Sequence, residues 1–360
     1  MIEYMIGIIG GYGNIGQWAA TLLYENLQES IKIGGRSREK FDSFIKINKL
    51  PKAQYQYADI DDKKSIQKFA SGCTSVLNCA GPTYDKSSGL GQIMRSMNIK
   101  YADVGYASKQ QTDMEKNQSD ILCKAGAIPG LSGLLPRYLA MKFDKVFSME
   151  FYYQALGRFT KTAAEDYLKG IFINTKGEMP RKRECETRLL PLSSTAVNLY
   201  PYYDGESDYV RRKLSLDTGH WFMALEGECT KNFMNRMGAL LTGNKGKIIE
   251  ELCNATYIDT LGRKDYAGFV IQMKGEKDGK QKVKTLLLKG DSPEYLTGAV
   301  AASAVIAMEK MTINTETGEL YSMDKVQEFM QILEKMGQGI QIHIENKSIE
   351  ELLVTEEGEI

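Results

Sequence analysis

The stretch Gly11-Tyr12-Gly13-Asn14-Ile15-Gly16 decides the fold of this 360-residue chain. It follows an apolar run at 5–10, and an amphipathic helical pattern begins within it and continues to residue 27. A G-x-G-x-x-G turn between a strand and a helix is the fingerprint of dinucleotide binding. Its first glycine permits a sharp turn, its second lets backbone approach a pyrophosphate, and its third packs the helix on the strand. We therefore expect Gly11, Tyr12, Gly13, Asn14, Ile15 and Gly16 to hold the diphosphate.

The end of the second apolar run indicates which dinucleotide is bound. NAD enzymes usually carry a carboxylate there for the ribose hydroxyls, whereas NADP enzymes carry a cation for the 2′-phosphate. Here the run at 31–33 ends in Gly34-Gly35-Arg36-Ser37-Arg38, without an acid. Arg36 can present its planar guanidinium to a phosphate, with the Ser37 hydroxyl beside it. Arg38 either adds positive charge to this site or belongs to a solvated helix start. Because the strand end carries Arg36 and no acid, the predicted cofactor is NADP(H).

Two further strand ends are expected to face the cofactor, because ligands in open α/β sheets bind beyond the carboxyl ends of the strands. The first is Asp59-Ile60, which borders the adenine in this interpretation, while capping or turn formation is the alternative for Asp59. The second places small residues and free backbone near the ribose and nicotinamide: Cys79, Ala80, Gly81 and Pro82.

Short apolar runs alternate with amphipathic stretches up to about residue 130, which predicts an α/β fold with a doubly wound parallel sheet of the Rossmann type. The pattern then becomes mixed, and two β-like runs at 266–274 and 282–289 predict an antiparallel hairpin. We expect a Rossmann domain at 1–130 and an α+β domain with a mixed or antiparallel sheet at 131–292. Residues 293–360 are predicted to supply helices that return to the Rossmann domain, a short strand and an acidic tail.

Composition excludes several classes of partner. Lys+Arg and Asp+Glu number 46 each, so no overall field attracts nucleic acid or an anionic membrane. The amino terminus lacks a basic segment before its apolar run, and no stretch of about 18 apolar residues occurs, which predicts a cytoplasmic protein. The chain has six cysteines without a C-x-x-C pair and two histidines, so no metal site is expected.

Taken together, these motifs resemble the amino-terminal domain of the saccharopine dehydrogenase-like reductases over roughly residues 5–140. The resemblance is carried by Gly-Tyr-Gly-x-x-Gly, Gly-Arg-Ser, Ala-Asp-Ile-Asp, Asn-Cys-Ala-Gly-Pro and the Tyr-x-Asp segment that ends at Asp103. It implies an NADP-dependent oxidoreductase that acts on CH–NH or related groups. A C=N bond of an amino-acid-derived substrate, free or carrier-bound, is the expected acceptor, and a homodimer is the expected assembly.

Three residues are candidates for the chemistry. His220 is a candidate proton donor beside an indole, although a packed core histidine is the common alternative. Asp103 and Tyr106 follow the fifth predicted strand, where either can bind an amine or relay a proton, while Asp103 can also be a cap. Two other functions stay open: reduction of a ketone or a carrier-bound C=C bond, and a non-catalytic regulator that senses NADP(H).

Overall fold

The computed structural model describes residues 5–27, 30–81, 83–105, 120–174, 186–240 and 244–356. The chain forms two compact units, of which the first comprises 1–134 with 294–338 and the second 135–293 with 339–360. In the described part of the chain, no helix is both long and apolar enough to cross a membrane.

The first unit is built on a parallel sheet of six strands in the order β3-β2-β1-β4-β5-β6. The strands are β1 (Ile6–Ile9), β2 (Ile31–Gly35), β3 (Gln54–Tyr57), β4 (Ser75–Asn78), β5 (Lys100–Asp103) and β6 (Ile121–Leu122). The helices between them are α1 (Gly16–Leu27), α2 (Arg38–Asn48), α3 (Lys63–Ala70) and α4 (Thr83–Ser96). This is the Rossmann strand order, and the predicted fold class is confirmed.

Burial explains why β1 is an unbroken apolar run. All four of its residues are buried, because helices cover both faces of a parallel sheet. The edge strand β3 alternates Gln and Tyr and is largely accessible. The carboxyl ends of β1, β2, β4 and β5 therefore share one edge of the sheet, where the candidate residues lie.

Side-chain caps fix two of the helix starts at this edge. The Ser37 hydroxyl accepts from the Lys40 N–H and caps α2, while the Asp62 carboxylate accepts from the Lys64 N–H and caps α3.

The carboxyl-terminal part of the first unit contains α10 (Pro293–Lys310), a 3₁₀ turn (Leu320–Ser322) and α11 (Val326–Glu334). Helix α10 is buried at almost every position between Tyr295 and Met308. Gly298 lies against α1, since a Cβ there would stand 2.7 Å from the Trp18 Cβ and 2.9 Å from the Ile15 carbonyl oxygen. The returning helix thus supports the start of α1.

The second unit is built on a mixed sheet of seven strands in the order β13-β12-β11-β7-β10-β9-β8. The strands are β7 (Lys145–Leu156), β8 (Glu186–Arg188), β9 (Val197–Pro201), β10 (Thr218–Leu225), β11 (Tyr266–Lys277), β12 (Lys280–Gly290) and β13 (Ile340–Glu345). Strands β7 and β10 pair in parallel, and the other pairings are antiparallel. Since β13 forms an edge of this sheet, the segment predicted at 293–360 divides between the two units.

Five helices of the described ranges accompany that sheet: α6 (Lys161–Asn174), α7 (Gly205–Lys213), α8 (Glu228–Leu240), α9 (Lys245–Thr260) and α12 (Ile349–Glu356). Helix α5 (Leu131–Ala140) spans the boundary between the two units. The predicted hairpin is confirmed, but its turn is tighter than expected. Asp278 and Gly279 alone connect β11 to β12, and both have positive φ, as a two-residue turn of type I′ requires.

Candidate nucleotide site

The glycine turn after β1 is held by its own backbone. The Gly10 N–H donates to the Gly34 carbonyl at 2.8 Å, and the Gly13 N–H donates to the Gly10 carbonyl at 2.8 Å. Gly10 has a φ of 74°, a left-handed conformation that favours glycine. The sharp turn therefore lies at Gly10, one residue before Gly11, to which sequence analysis gave that role.

Gly16 brings the start of α1 against this turn. A Cβ at Gly16 would stand 2.2 Å from the Gly10 carbonyl oxygen and 2.8 Å from the Gly11 Cα. No side chain fits at that distance, so the packing role predicted for this glycine is the one that the geometry requires.

The rest of the turn offers hydrogen-bond donors. A Cβ at Gly13 would meet only the Gly10 carbonyl oxygen, at 3.1 Å, so its other side is open. Within the described ranges, the backbone N–H groups of Tyr12, Asn14 and Ile15 make no hydrogen bond. Amides at the start of a helix bind phosphate oxygens well, because the positive end of the helix dipole lies there.

Arg36 follows β2 directly and is exposed. Among the described residues it has no ion-pair or hydrogen-bond partner. It lies on the turn that leads from β2 into α2, at the same sheet edge as the glycine turn. A guanidinium without a protein partner at this position suits a 2′-phosphate.

Arg38, two residues later, is already engaged. Its Nε lies 2.9 Å from the Asp42 carboxylate, one helical turn along α2. Its guanidinium also covers the Tyr55 ring, 5.3 Å from the centroid. The geometry favours the interpretation of Arg38 as part of a solvated helix start. For Arg36, binding of the 2′-phosphate stays the prediction.

Tyr12 joins the two loops of the site, a role that sequence analysis missed. The Ser37 N–H donates to the Tyr12 hydroxyl at 2.8 Å. The tyrosine ring covers Gly35, where a Cβ would stand 2.1 Å from the hydroxyl oxygen. The sequence did contain a signal, namely an aromatic residue in the glycine turn and two glycines at the end of β2.

The end of β3 forms a tight turn of its own. The Asp61 N–H donates to the Asp59 carboxylate at 3.1 Å, and the Asp59 N–H donates to the Ser65 hydroxyl at 2.9 Å. Ile60 packs against the core of the first unit. The turn role considered for Asp59 is therefore present, and its contact with adenine stays a prediction.

The ends of β4 and β5 are locked together by buried polar groups. The Asn78 amide donates to the Asp103 carboxylate at 3.0 Å, and the Tyr101 hydroxyl donates to the same oxygen at 2.5 Å. The other carboxylate oxygen accepts from the Gly105 N–H at 2.8 Å. Asn78 Oδ1 in turn accepts from the Ala80 N–H at 3.1 Å. Asp103 thus holds the turn that carries Cys79, Ala80 and Gly81, and its catalytic role stays a prediction.

Cys79 lies next to the buried carboxylate of Asp103. Burial raises the pKa of its thiol, and the neighbouring charge of Asp103 raises that pKa further. The thiol is therefore neutral at physiological pH and acts as a small packed side chain.

The remaining candidates are His220, Tyr106 and Pro82. His220 is exposed near the start of β10 in the second unit and has no partner among the described residues. Tyr106 and Pro82 lie outside the described residues. The roles predicted for all three stay predictions. Within the ranges that the structure covers, no group of three or more His, Cys, Asp or Glu side chains is arranged to hold a metal ion.

Comparison with known proteins identifies a related family and a related fold. Residues 6–126 match the sequence profile of the family described as saccharopine dehydrogenase NADP binding domain. The structure is similar to apo saccharopine dehydrogenase (L-Glu forming) from Saccharomyces cerevisiae, with a TM-score of 0.66 and 12% identity over 96% of this chain and 100% of that chain. It also aligns with DAP dehydrogenase from C. glutamicum in complex with DAP, with a TM-score of 0.48 and 12% identity over 98% of this chain and 99% of that one.

Among curated proteins, the bifunctional purine biosynthesis protein PurH of Clostridium kluyveri is 29% identical over 114 residues. That match covers 30% of this chain and 22% of the length of PurH, so it describes a fraction of either protein.

Fold and site therefore define an NADP-binding oxidoreductase fold with a second, mixed-sheet unit. Residues 6–126 match the saccharopine dehydrogenase NADP binding domain family, and the chain as a whole has the fold of saccharopine dehydrogenase. The family resemblance predicted from the motifs is confirmed.

Proposed function

We propose that this chain is an NADPH-dependent oxidoreductase that reduces a C=N bond of an amino-acid-derived substrate. The observation that carries the proposal is Arg36, an exposed guanidinium without a partner among the described residues, at the strand end where NAD enzymes carry a carboxylate. The fold shared with saccharopine dehydrogenase supports the choice of an imine over a ketone or a C=C bond.

The residues present fit the nucleotide. Amides of Tyr12, Asn14 and Ile15 would bind the pyrophosphate across the open side of Gly13, and Arg36 would bind the 2′-phosphate. When bound, NADPH supplies the hydride, so the protein has to orient the acceptor and provide a proton. The buried Asn78–Asp103 pair would keep the Ala80–Gly81 backbone in a fixed position beside the nucleotide.

Nucleotide titration tests the cofactor assignment. Arg36→Ala is expected to weaken NADPH binding about 10- to 100-fold, because a charge-assisted hydrogen bond contributes about 1.5–3 kcal/mol. NADH binding is expected to stay unchanged. Lys46→Ala is the matched control, since it removes an exposed cation near the far end of α2. Equal affinity of the unmodified protein for NADPH and NADH would contradict the assignment, and so would an equal loss in both variants.

The reaction class needs a separate assay. NADPH oxidation is measured with 2-oxo acids alone, with amino acids alone, and with pairs of the two. The proposal expects turnover only with pairs, because the imine forms from both partners. Turnover with a carbonyl compound alone would instead identify a ketone reductase, and tight NADPH binding without any turnover would favour a sensor.

A further inference from the structure

The nucleotide site has two loops, and the Tyr12 side chain forms a hydrogen bond between them. Tyr12 lies in the glycine turn after β1, and its hydroxyl accepts from the Ser37 N–H at 2.8 Å in the turn after β2. Arg36 lies beside Ser37 in that second turn. Beyond the Gly10–Gly34 backbone hydrogen bond at the start of these loops, Tyr12 thus joins the glycine turn to the residue next to Arg36.

Ser37 has a particular need for this acceptor. It caps α2, and the backbone N–H of such a residue is often satisfied by Glu or Gln three residues later. That position is Lys40, which offers no acceptor. The Tyr12 hydroxyl takes its place, so the helix start depends on a side chain from another loop.

A second aromatic residue holds the same turn from the other side. The Tyr55 hydroxyl donates to the Gly35 carbonyl at 2.9 Å. Arg38 covers the Tyr55 ring and pairs with Asp42. The backbone on both sides of Arg36 is thus held, while its own side chain stays open to solvent.

Tyr12 also restricts what β2 can carry at its end. A Cβ at Gly35 would stand 2.1 Å from the Tyr12 hydroxyl oxygen and 2.4 Å from its Cζ. An aspartate at position 35, the kind of acid that binds the ribose hydroxyls of NAD, cannot fit while Tyr12 stays in place.

We propose that Tyr12 is a positioning residue that sets the preference for NADPH over NADH. It holds the Arg36 turn at the 2′-phosphate and excludes a carboxylate at position 35. This inference rests on the proposed nucleotide site.

The first test removes only the hydroxyl. Tyr12→Phe is expected to weaken NADPH binding about fivefold, the value of one neutral hydrogen bond, and to leave NADH binding unchanged. In the nucleotide-free protein the Ser37 amide is expected to exchange its hydrogen faster, as measured by NMR. Tyr24→Phe in α1 is the matched control, because the Tyr24 hydroxyl makes no hydrogen bond within the described ranges.

A rescue distinguishes positioning from general damage. Lys40→Gln in the Tyr12→Phe background supplies the acceptor that a capping box uses, so it is expected to restore both the Ser37 amide protection and the NADPH preference. Restored protection without restored preference would overturn the proposal, as would an unchanged ratio of NADPH to NADH affinity in Tyr12→Phe.

The second test concerns position 35. Gly35→Asp alone is expected to weaken both nucleotides, because Tyr12 has to leave its place. The double variant Tyr12→Gly, Gly35→Asp is expected to bind NADH more tightly than Gly35→Asp does. If the single variant binds NADH at least as tightly as the double variant, Tyr12 does not exclude the acid and the proposal fails.

The outcomes also separate this proposal from the one on which it rests. If the unmodified protein binds neither nucleotide, both proposals fail together. If it prefers NADPH and Arg36→Ala removes that preference, but Tyr12→Phe does not reduce it, only the role of Tyr12 is refuted.

Discussion

Gly16 and Gly13 lie in the same turn but differ in the room that a Cβ atom would have. A Cβ at Gly16 would stand 2.2 Å from the Gly10 carbonyl oxygen, whereas one at Gly13 would meet that oxygen at 3.1 Å. We expect Gly16→Ala to destabilise the protein by about 2–3 kcal/mol, as overpacking does. Gly13→Ala is expected to change stability by less than about 1 kcal/mol but to weaken NADPH binding, because its methyl group occupies the open side of the turn.

Urea unfolding and NADPH titration of both variants check this contrast. Equal destabilisation by the two substitutions would show that the turn is uniformly packed. Unchanged NADPH affinity in Gly13→Ala would show that the nucleotide does not approach this backbone.

At this scale the sequence predicted what is local. The glycine turn between β1 and α1 is formed by neighbours in the chain, so the pattern alone placed it, although the residue with positive φ is Gly10 and not Gly11. The Tyr12–Ser37 hydrogen bond and the ion pair of Lys124 with Glu319, 2.7 Å apart, join segments that are distant in sequence. Periodicity and motif spacing contain no information on such pairs, and the structure was needed to find them.

Among the helices, α10 shows how closely one element depends on another. Gly298 faces the first turn of α1, and a Cβ there would stand 2.9 Å from the Ile15 carbonyl oxygen. Gly298→Ala is therefore expected to destabilise the protein and weaken NADPH binding, although alanine favours a helix by about 1 kcal/mol. Gly89→Ala in α4 is the control, because a Cβ there would meet nothing within 4 Å.

Thermal unfolding distinguishes the two glycines. The control variant is expected to be stabilised by about 0.5–1 kcal/mol from helix propensity alone. A similar gain in Gly298→Ala would mean that α10 and α1 have room between them, contrary to the packing described.

Helix α12 depends on one arginine of β8. Arg188 pairs with Glu150 at 3.0 Å and also contacts Glu350 at the start of α12. Burial would raise the pKa of Glu150, but hydrogen bonds from Tyr152 and Arg188 and the charge of Arg188 bring that pKa below its ordinary value of 4.5. A carboxylate whose pKa is lowered by folding stabilises the fold at pH values above its ordinary pKa. This stabilisation is lost as the pH falls through the pKa of the folded state.

Arg188→Leu is accordingly expected to lower the free energy of unfolding by about 1–2 kcal/mol at neutral pH. This figure is reduced from that of a fully buried pair because both partners are partly exposed. The variant should also lose less stability than the unmodified protein between pH 6 and about pH 3, because its Glu150 no longer has a depressed pKa. Urea unfolding across this range is the measurement. Arg212→Leu, which breaks an exposed pair with Asp208 2.9 Å away, is the control and should cost less than about 0.5 kcal/mol. Parallel pH curves for Arg188→Leu and the unmodified protein would refute the coupling.

Across the whole molecule, the sequence predicted the class of each sheet, parallel or mixed, but did not assign every strand to its sheet. Alternating βα patterns identify a parallel sheet because each crossover is local. The pairing of β13 with β12 joins segments on either side of the returning helices, so the short strand at 340–345 was grouped with those helices instead of with the second sheet.

The discontinuity of the first unit leads to a prediction about the whole chain. Glu309 at the end of α10 accepts from the Thr74 hydroxyl at 2.8 Å and pairs with Lys100 at 3.0 Å, and Glu319 pairs with Lys124. Residues 1–134 alone would leave Lys100 and Lys124 without these partners and would expose the apolar surface that α10 covers. We expect that fragment to lack a cooperative unfolding transition and to bind no NADPH.

Residues 1–134 joined to 294–338 by a flexible Gly/Ser linker are expected to fold and to bind NADPH. Circular dichroism melting and NADPH titration of the two proteins test this, and cooperative, NADPH-binding behaviour of residues 1–134 alone would show that the returning segment is dispensable.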